Sequence, residues 1–380
     1  MMKIYLDNNA TTRVDPDVLS AMMPYFDEHY GNPASGFHSL GIYAERSVEK
    51  AREEIARYYG AKPREIIFTS GATESINTAI KGTVESFYPG KRHIITSKIE
   101  HPAATAICSY LQTKGIDVTY LDVDSTGLVD PDIIAQSIRK DTALVSLLAV
   151  NNEIGTIQPM QEIARVTQDQ GCLLHLDFSQ GTGRVELNLE NVGADFVSFS
   201  AHKCHGPKGI GALFIRENSR NKLQPFIHGG GQEGGFRGGT LNVPGIVGYG
   251  KAVSILSEIG KSESARIEAL RNKLYFGICS NLNNVYLNGP QTNRLVTNLN
   301  IVLEGIDSGR FVGATKDVVF SSGAACAGIG QASHVLLAIG RTIQQAKTSF
   351  RFGLSRFTTE AEIDYAIELI VREAVKNKTI

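Results

Sequence analysis

The residues of this chain best suited to chemistry are Lys203 and Asp177. Lys203 stands in Ser198-Phe199-Ser200-Ala201-His202-Lys203, at the end of an apolar, strand-like stretch, and Gly206-Pro207-Lys208-Gly209-Ile210-Gly211 follows closely. An amine where a buried strand meets a glycine-rich loop is a candidate for forming a Schiff base. Asp177 and Gln180 close a second strand-like run, Cys172-Leu173-Leu174-His175-Leu176-Asp177. Together they are the kit that pyridoxal phosphate requires, an amine for its aldehyde and a carboxylate for its pyridinium nitrogen. Taken alone, Lys203 reads equally as a solvated loop lysine, and Asp177 as a helix cap.

Other segments add to the pair. Thr69-Ser70-Gly71-Ala72-Thr73-Glu74 joins a strand to a helix through small residues, and the N–H groups there, helped by the Thr73 hydroxyl, make a phosphate seat. Glu100-His101-Pro102 sets an imidazole at a strand end, where it could stack on an aromatic cofactor and shuttle a proton; a helix-entry histidine is the alternative. Asn151-Asn152-Glu153-Ile154-Gly155 ends the most buried strand, which makes Asn152 a candidate substrate contact or a turn residue. Ser321-Ser322-Gly323-Ala324-Ala325-Cys326-Ala327-Gly328 gives one cysteine little packing and much backbone freedom, as suits a mobile nucleophile; a small filler in a tight turn is the other reading. Phe350-Arg351-Phe352-Gly353-Leu354-Ser355-Arg356-Phe357 offers an arginine to fork onto a carboxylate. The glycines of 206–211 have the wrong spacing for a nicotinamide site, and the 9 histidines form no metal motif, so no metal is expected.

These residues need a frame. Short apolar strands at Glu65–Thr69, His93–Thr96, Val118–Leu121 and Ala143–Leu148 alternate with helical patterns, which implies an α/β fold with a mostly parallel sheet flanked by helices. Gly41–Tyr59 is an amphipathic helix stopped by Gly60. Val247–Ile259 and Ile267–Leu282 read as two helices, and Ala361–Lys376 as a closing one. A chain of 380 residues exceeds the usual single domain. A boundary is expected near 255–262, giving a large domain over 13–258 and a small α+β domain from 1–12 and 259–380. A net charge of -1 excludes a basic field for direct nucleic-acid binding. The N-terminus carries Asp and Asn too early for a signal peptide, and no apolar run could span a membrane, so a cytoplasmic location is expected. The 5 cysteines include no CxxC pair, which argues against a disulfide framework.

Taken in order, the motifs resemble the cysteine desulfurases of the NifS/IscS-like group, within the class V aminotransferases. The likeness runs from Tyr5-Leu6-Asp7-Asn8-Asn9-Ala10-Thr11-Thr12 through Gly31-Asn32-Pro33, Ser70-Gly71-Ala72-Thr73-Glu74, Glu100-His101, Asn151-Asn152-Glu153 and Ala201-His202-Lys203 to Ala325-Cys326 and Arg356-Phe357-Thr358. It implies the fold type I of pyridoxal-phosphate-dependent transferases. It also implies that Lys203 joins pyridoxal 5'-phosphate and later moves the substrate's Cα proton. Asp177 would hold the pyridine nitrogen, Gln180 the phenolic oxygen, and His101 would stack on the ring. Ala72, Thr73, Ser200 and His202 would hold the phosphate, with Thr240 reaching over from the second subunit of a homodimer. Asn152 and Arg351 would orient the carboxylate of L-cysteine, and Cys326 would take its sulfur as a persulfide for a protein acceptor or scaffold, leaving L-alanine. Selenocysteine lyase and other class V chemistries are the alternative. The sulfur's destination, whether iron–sulfur cluster, tRNA, cofactor or DNA modification, stays open.

Two segments depart from that pattern. Gln232-Glu233-Gly234 and Arg237-Gly238-Gly239-Thr240 stand where relatives carry a basic residue after the Glu and then Arg-Ser-Gly-Thr. The seven residues between Cys326 and His334 fit the long-loop subgroup but lack its Ser-rich, Glu-Pro-containing character.

Overall fold

A computed structural model describes residues 3–322 and 332–378. Its main sheet has seven strands in the order Ile66–Thr69, Gly211–Ile215, Phe196–Ser200, Leu173–Asp177, Thr142–Leu148, His93–Ser97 and Asp117–Leu121. Only the two pairings made by Gly211–Ile215 are antiparallel. Each expected strand is present within a residue of its expected ends.

Successive side chains of a strand point to opposite faces, so a sheet covered on both sides needs apolar residues at every position. Thr142–Leu148 is buried along its whole length. Val145, Leu147, Leu174, Leu176, Val197 and Phe199 pack on one face, and Leu144, Leu173, Phe196 and Leu213 on the other. The His175 imidazole inside this sheet is neutralised by its surroundings. His175 hydrogen-bonds Ser146 Oγ and Ser198 Oγ, each at 2.8 Å, and burial lowers its pKa to about 3.

The helix expected from Gly41 spans Ser39–Tyr59, begun by the His38 imidazole accepting the Gly41 N–H and ended by left-handed Gly60. One expectation is corrected. Where the sequence suggested two helices, a single helix runs over Val243–Cys279. Gly260 sits within it and is tolerated, since glycine costs a helix only about 1 kcal/mol and no proline follows to break it. Ile246, Tyr249, Val253 and Leu256 of this helix join the main-sheet core, whereas Ile267, Leu270, Leu274 and Ile278 join a second core.

That second core forms around a four-stranded antiparallel sheet in the order Ser321–Ser322, Ser349–Gly353, Asn298–Leu303 and Val285–Leu287. Leu6 belongs to it, because Ile4–Tyr5 pairs in parallel with Val318–Val319. The helix Glu360–Lys376 covers it, started by a Thr359/Glu362 capping box. Among the described residues, no helix is long and apolar enough to cross a membrane.

The unusual glycine-rich segment is tied down by charge. Glu233, in the left-handed region at φ 51°, accepts from Arg52 Nη1 and Nη2 at 2.8 Å each and from the Phe68 amide at 2.7 Å. The Arg52 guanidinium also donates to Ile66 O and lies over the Phe68 ring. Removing one member of such a buried pair strands the other's charge. Glu233→Ala should therefore destabilise the protein by about 3 kcal/mol in chemical denaturation; a loss below about 1 kcal/mol would show that the pair is solvated.

Candidate active site

Four mutually parallel strands, Leu173–Asp177, Phe196–Ser200, Thr142–Leu148 and His93–Ser97, end on one edge of the main sheet, where ligands bind in open α/β folds. Asp177, Ser200 and Leu148 are the last residues of three of them, and all line a cleft of about 280 Å³. Ala72, Thr73, His101, Asn152, Gln180, His202 and Lys203 line the same cleft. Nine of the twelve residues singled out in the sequence thus come together in one place, from segments spread over about 130 positions.

At one end lies the N-terminus of the 16-residue helix Ala72–Phe87. Gly71 precedes it with φ 150°, a conformation that favours glycine, and no side chain caps the helix. A Cβ on Gly211 would sit 2.8 Å from Gly71 Cα, so the two glycines let this turn lie directly on the sheet. Among the described residues the amides of Ala72 and Thr73 find no acceptor. Uncapped N–H groups and the helix dipole favour an anion there. His202 borders this end, its Nδ1 3.0 Å from Thr11 Oγ1. Burial, with Lys203 and Lys208 nearby, lowers its pKa to about 4, so it is a neutral partner at physiological pH.

At the other end, Asp177 Oδ1 accepts the Ser179 amide and hydroxyl, which fixes the carboxylate at the strand end. The adjacent Gln180 amide is buried, and its oxygen has no partner among the described residues. His101 is placed as the helix-entry residue and also lines the cleft. Its Nδ1 caps the helix Pro102–Gln112 by accepting the Ala103 amide, while its ring lines the cleft. Burial lowers its pKa, Asp177 opposing and Lys203 and His334 adding to the shift. Lys203, in the tight turn after Phe196–Ser200, points its Nζ to the carbonyls of Asn9 at 2.6 Å and Ala10 at 2.9 Å.

An uncapped helix end, a fixed carboxylate, an unpartnered buried amide and an amine in one cleft match the donor set that pyridoxal phosphate needs, so the residues fit that coenzyme. Three singled-out residues stand elsewhere. Arg351 is buried on Ser349–Gly353 and reaches the cleft's rim through its bond to Asn152 O at 3.1 Å. Thr240 is exposed and outside the cleft of its own chain. Cys326 lies outside the described residues. Ala10, Ser179 and Glu74 were missed as lining residues. Glu74, which accepts from the Ser70 amide and Arg237 Nε, has a visible sequence signal in its first-turn position. Nothing local in Asn8-Asn9-Ala10-Thr11 announces a contact to a lysine almost 200 residues away.

Beneath the cleft, Glu100 is fully buried. Its Oε1 accepts Ser97 Oγ at 2.5 Å and the Leu148 amide at 3.0 Å, while Oε2 has no partner among the described residues. Burial raises its pKa to about 8, the two hydrogen bonds opposing. A folded-state pKa above the unfolded one means that the folded protein holds the extra proton. The stability it contributes is therefore full below the ordinary carboxylate pKa and is lost as pH rises through about 8. Glu100→Gln, which cannot ionise, should gain melting temperature relative to the parent between pH 5 and pH 8.5. A constant difference across that range would refute a buried, protonated Glu100.

Comparison with known proteins agrees with this geometry. The aminotransferase class-V family matches residues 4–366. The chain is 46% identical to a cysteine desulfurase IscS of Methylobacillus flagellatus, over 97% of this chain and 91% of that protein. A solved NifS-like protein superposes with a TM-score of 0.91 at 40% identity, covering 98% of this chain and 99% of that one. A structure described as SspA in complex with cysteine gives a TM-score of 0.83 at 36% identity, over 94% of this chain and 100% of the other. With its sheet order, cleft and lysine as described, the chain belongs to the class V aminotransferase family.

Proposed function

We propose that this protein is a cysteine desulfurase that uses pyridoxal 5'-phosphate to move sulfur from L-cysteine to its own Cys326, leaving L-alanine. The observation that carries the reading is the meeting of Lys203, Asp177 and the uncapped helix end at Ala72 in one cleft. The cysteine-bound SspA relative and the IscS relatives support the substrate.

The roles follow from chemistry. Ala72 and Thr73 amides, Ser200 and His202 would hold the coenzyme's phosphate, Asp177 its ring nitrogen, Gln180 its phenolic oxygen and Lys203 its aldehyde, with His101 beside its ring. When bound, the coenzyme supplies an electron sink that acidifies the substrate's Cα–H and polarises its Cβ–S bond. Lys203 would take the substrate's Cα proton at Nζ. His101, kept uncharged by burial, is able to accept and return a proton at the cleft. Asn152 and Arg351 orient the substrate's carboxylate. The Cys326 thiolate attacks the substrate sulfur, so an S–S bond forms as the Cβ–S bond breaks; the bonding pair stays with Cβ, which gains a proton on the way to L-alanine, and Cys326 becomes a persulfide for a protein acceptor.

The same proposal includes a homodimer. Thr240 is exposed and lies outside its own cleft, which suits a contact to a neighbour's phosphate site. It also keeps the division into 13–258 and 1–12 with 259–380, supported by the separate core that gathers Leu6 with Ile267 and Phe350. Cys326→Ala should retain the coenzyme's visible absorbance but lose alanine and sulfide formation from cysteine by about a hundredfold or more. Lys203→Ala should lose the borohydride-fixable attachment of the coenzyme. Parental turnover by the cysteine variant would overturn the reading.

A further inference from the structure

We infer that Asp7 is a positioning residue that sets the Arg351 guanidinium for the substrate's carboxylate. This rests on the proposed role of Arg351. Asp7 Oδ1 accepts from Arg351 Nη2 at 3.0 Å and from Ser321 Oγ at 2.7 Å, and Arg351 Nη2 also donates to Ser321 Oγ at 2.9 Å. Arg351 Nη1 donates to Asn152 O at 3.1 Å. A planar guanidinium anchored at both terminal nitrogens has its plane and its roll fixed. Its Nε is buried without a partner among the described residues, so the cation retains donor capacity. The Arg351 side chain is 5% exposed and that of Asp7 18%. With the Asp7 carboxylate removed, the guanidinium would be a buried cation whose acceptors among the described residues are neutral, free to turn toward either of them.

Asp7 is itself held by backbone. Leu6 N–H donates to Val319 O, Gly353 N–H to Leu6 O at 2.7 Å, and Asn8 N–H to Gly353 O at 3.1 Å. Gly353 permits this approach, since a Cβ there would meet Asn9 Oδ1 at 2.4 Å. Two and three residues further on, the same segment offers the carbonyls of Asn9 and Ala10 to Lys203 Nζ, and Asn9 Nδ2 reaches Asn152 O at 3.4 Å. Residues 7–10 therefore fix the spacing between the carboxylate's partner and the amine. A substrate α-amino acid has to span that spacing with its own amine and carboxylate.

The test compares binding of L-alanine and of L-alaninol, which lacks the carboxylate, to the holoenzyme by calorimetry, with cysteine kinetics alongside. In Asp7→Asn the preference for L-alanine should shrink by about tenfold, with alaninol affinity within about twofold of the parent and KM for cysteine rising more than kcat falls. Ser321→Ala should shift the preference the same way by a smaller factor, and it decides the matter if the Asp7 variant does not fold. Arg351→Gln should abolish the preference. If that arginine variant loses it while Asp7→Asn and Ser321→Ala keep it, the inference about Asp7 fails and the role of Arg351 stands. If Arg351→Gln keeps the preference, the underlying reading fails. Equal weakening of both ligands by Asp7→Asn would mark a merely structural role and also overturn the inference.

Discussion

The carboxyl edge of the main sheet is the constraint from which the site follows. Parallel strands that stop together leave backbone groups and helix N-termini facing one way, and water or a ligand must satisfy them. The helices Ala72–Phe87 and Pro102–Gln112 both begin on this edge, directly after strands Ile66–Thr69 and His93–Ser97. Their dipoles favour negative charge there. The cleft thus combines the Asp177 carboxylate at a strand end with an open helix terminus at Ala72. Lys203, one tight turn beyond its strand, lines the same cleft.

Burial sorts the titratable groups around this edge. His175 inside the sheet, His202 beside the open helix end and His101 at the cleft are all shifted toward the uncharged imidazole by desolvation. Glu100, one layer deeper, is shifted toward the uncharged acid for the same reason. Such groups hold shape by hydrogen bonding without adding net charge to a site that must accept a charged substrate. A neutral His202 can donate or accept, whereas an imidazolium could only donate.

Much of this was legible in the residues. Strand ends carry the chemistry in an α/β fold, so recognising Phe196–Ser200 and Leu173–Asp177 as buried strands was enough to bring Lys203 and Asp177 to one edge. Gly71 marked a turn, which proved to be the open helix end. Contacts between distant segments were not legible. Asp7 meets Arg351 and Asn9 meets Lys203 because Ile4–Tyr5 pairs with Val318–Val319 and the next residues bridge to Gly353, and a two-residue strand has no periodicity to announce it. The continuous helix was missed for the opposite reason. A polar stretch around Lys261 to Ser264 looks like a linker, yet tertiary contacts at both ends and the burial of Glu263 against Arg184 keep it helical.

That helix has a mechanical consequence. At 37 residues it is about 55 Å long, with each half embedded in a different core. A flexible hinge would let the two cores move independently, but a rod gripped at both ends transmits tilt. Any displacement of the antiparallel sheet that carries Arg351 must lean on the Glu263 contacts to Arg184 and Arg356, close to the midpoint of the shaft. Among the described residues the three guanidinium nitrogens of Arg356 have no hydrogen-bond partner there, and Asp15 at 3.6 Å and Glu263 at 3.9 Å hold it by charge. The middle of the shaft thus joins a close Arg184–Glu263 contact to a looser Arg356 pairing, so a tilt of the rod strains the first and is taken up by the second.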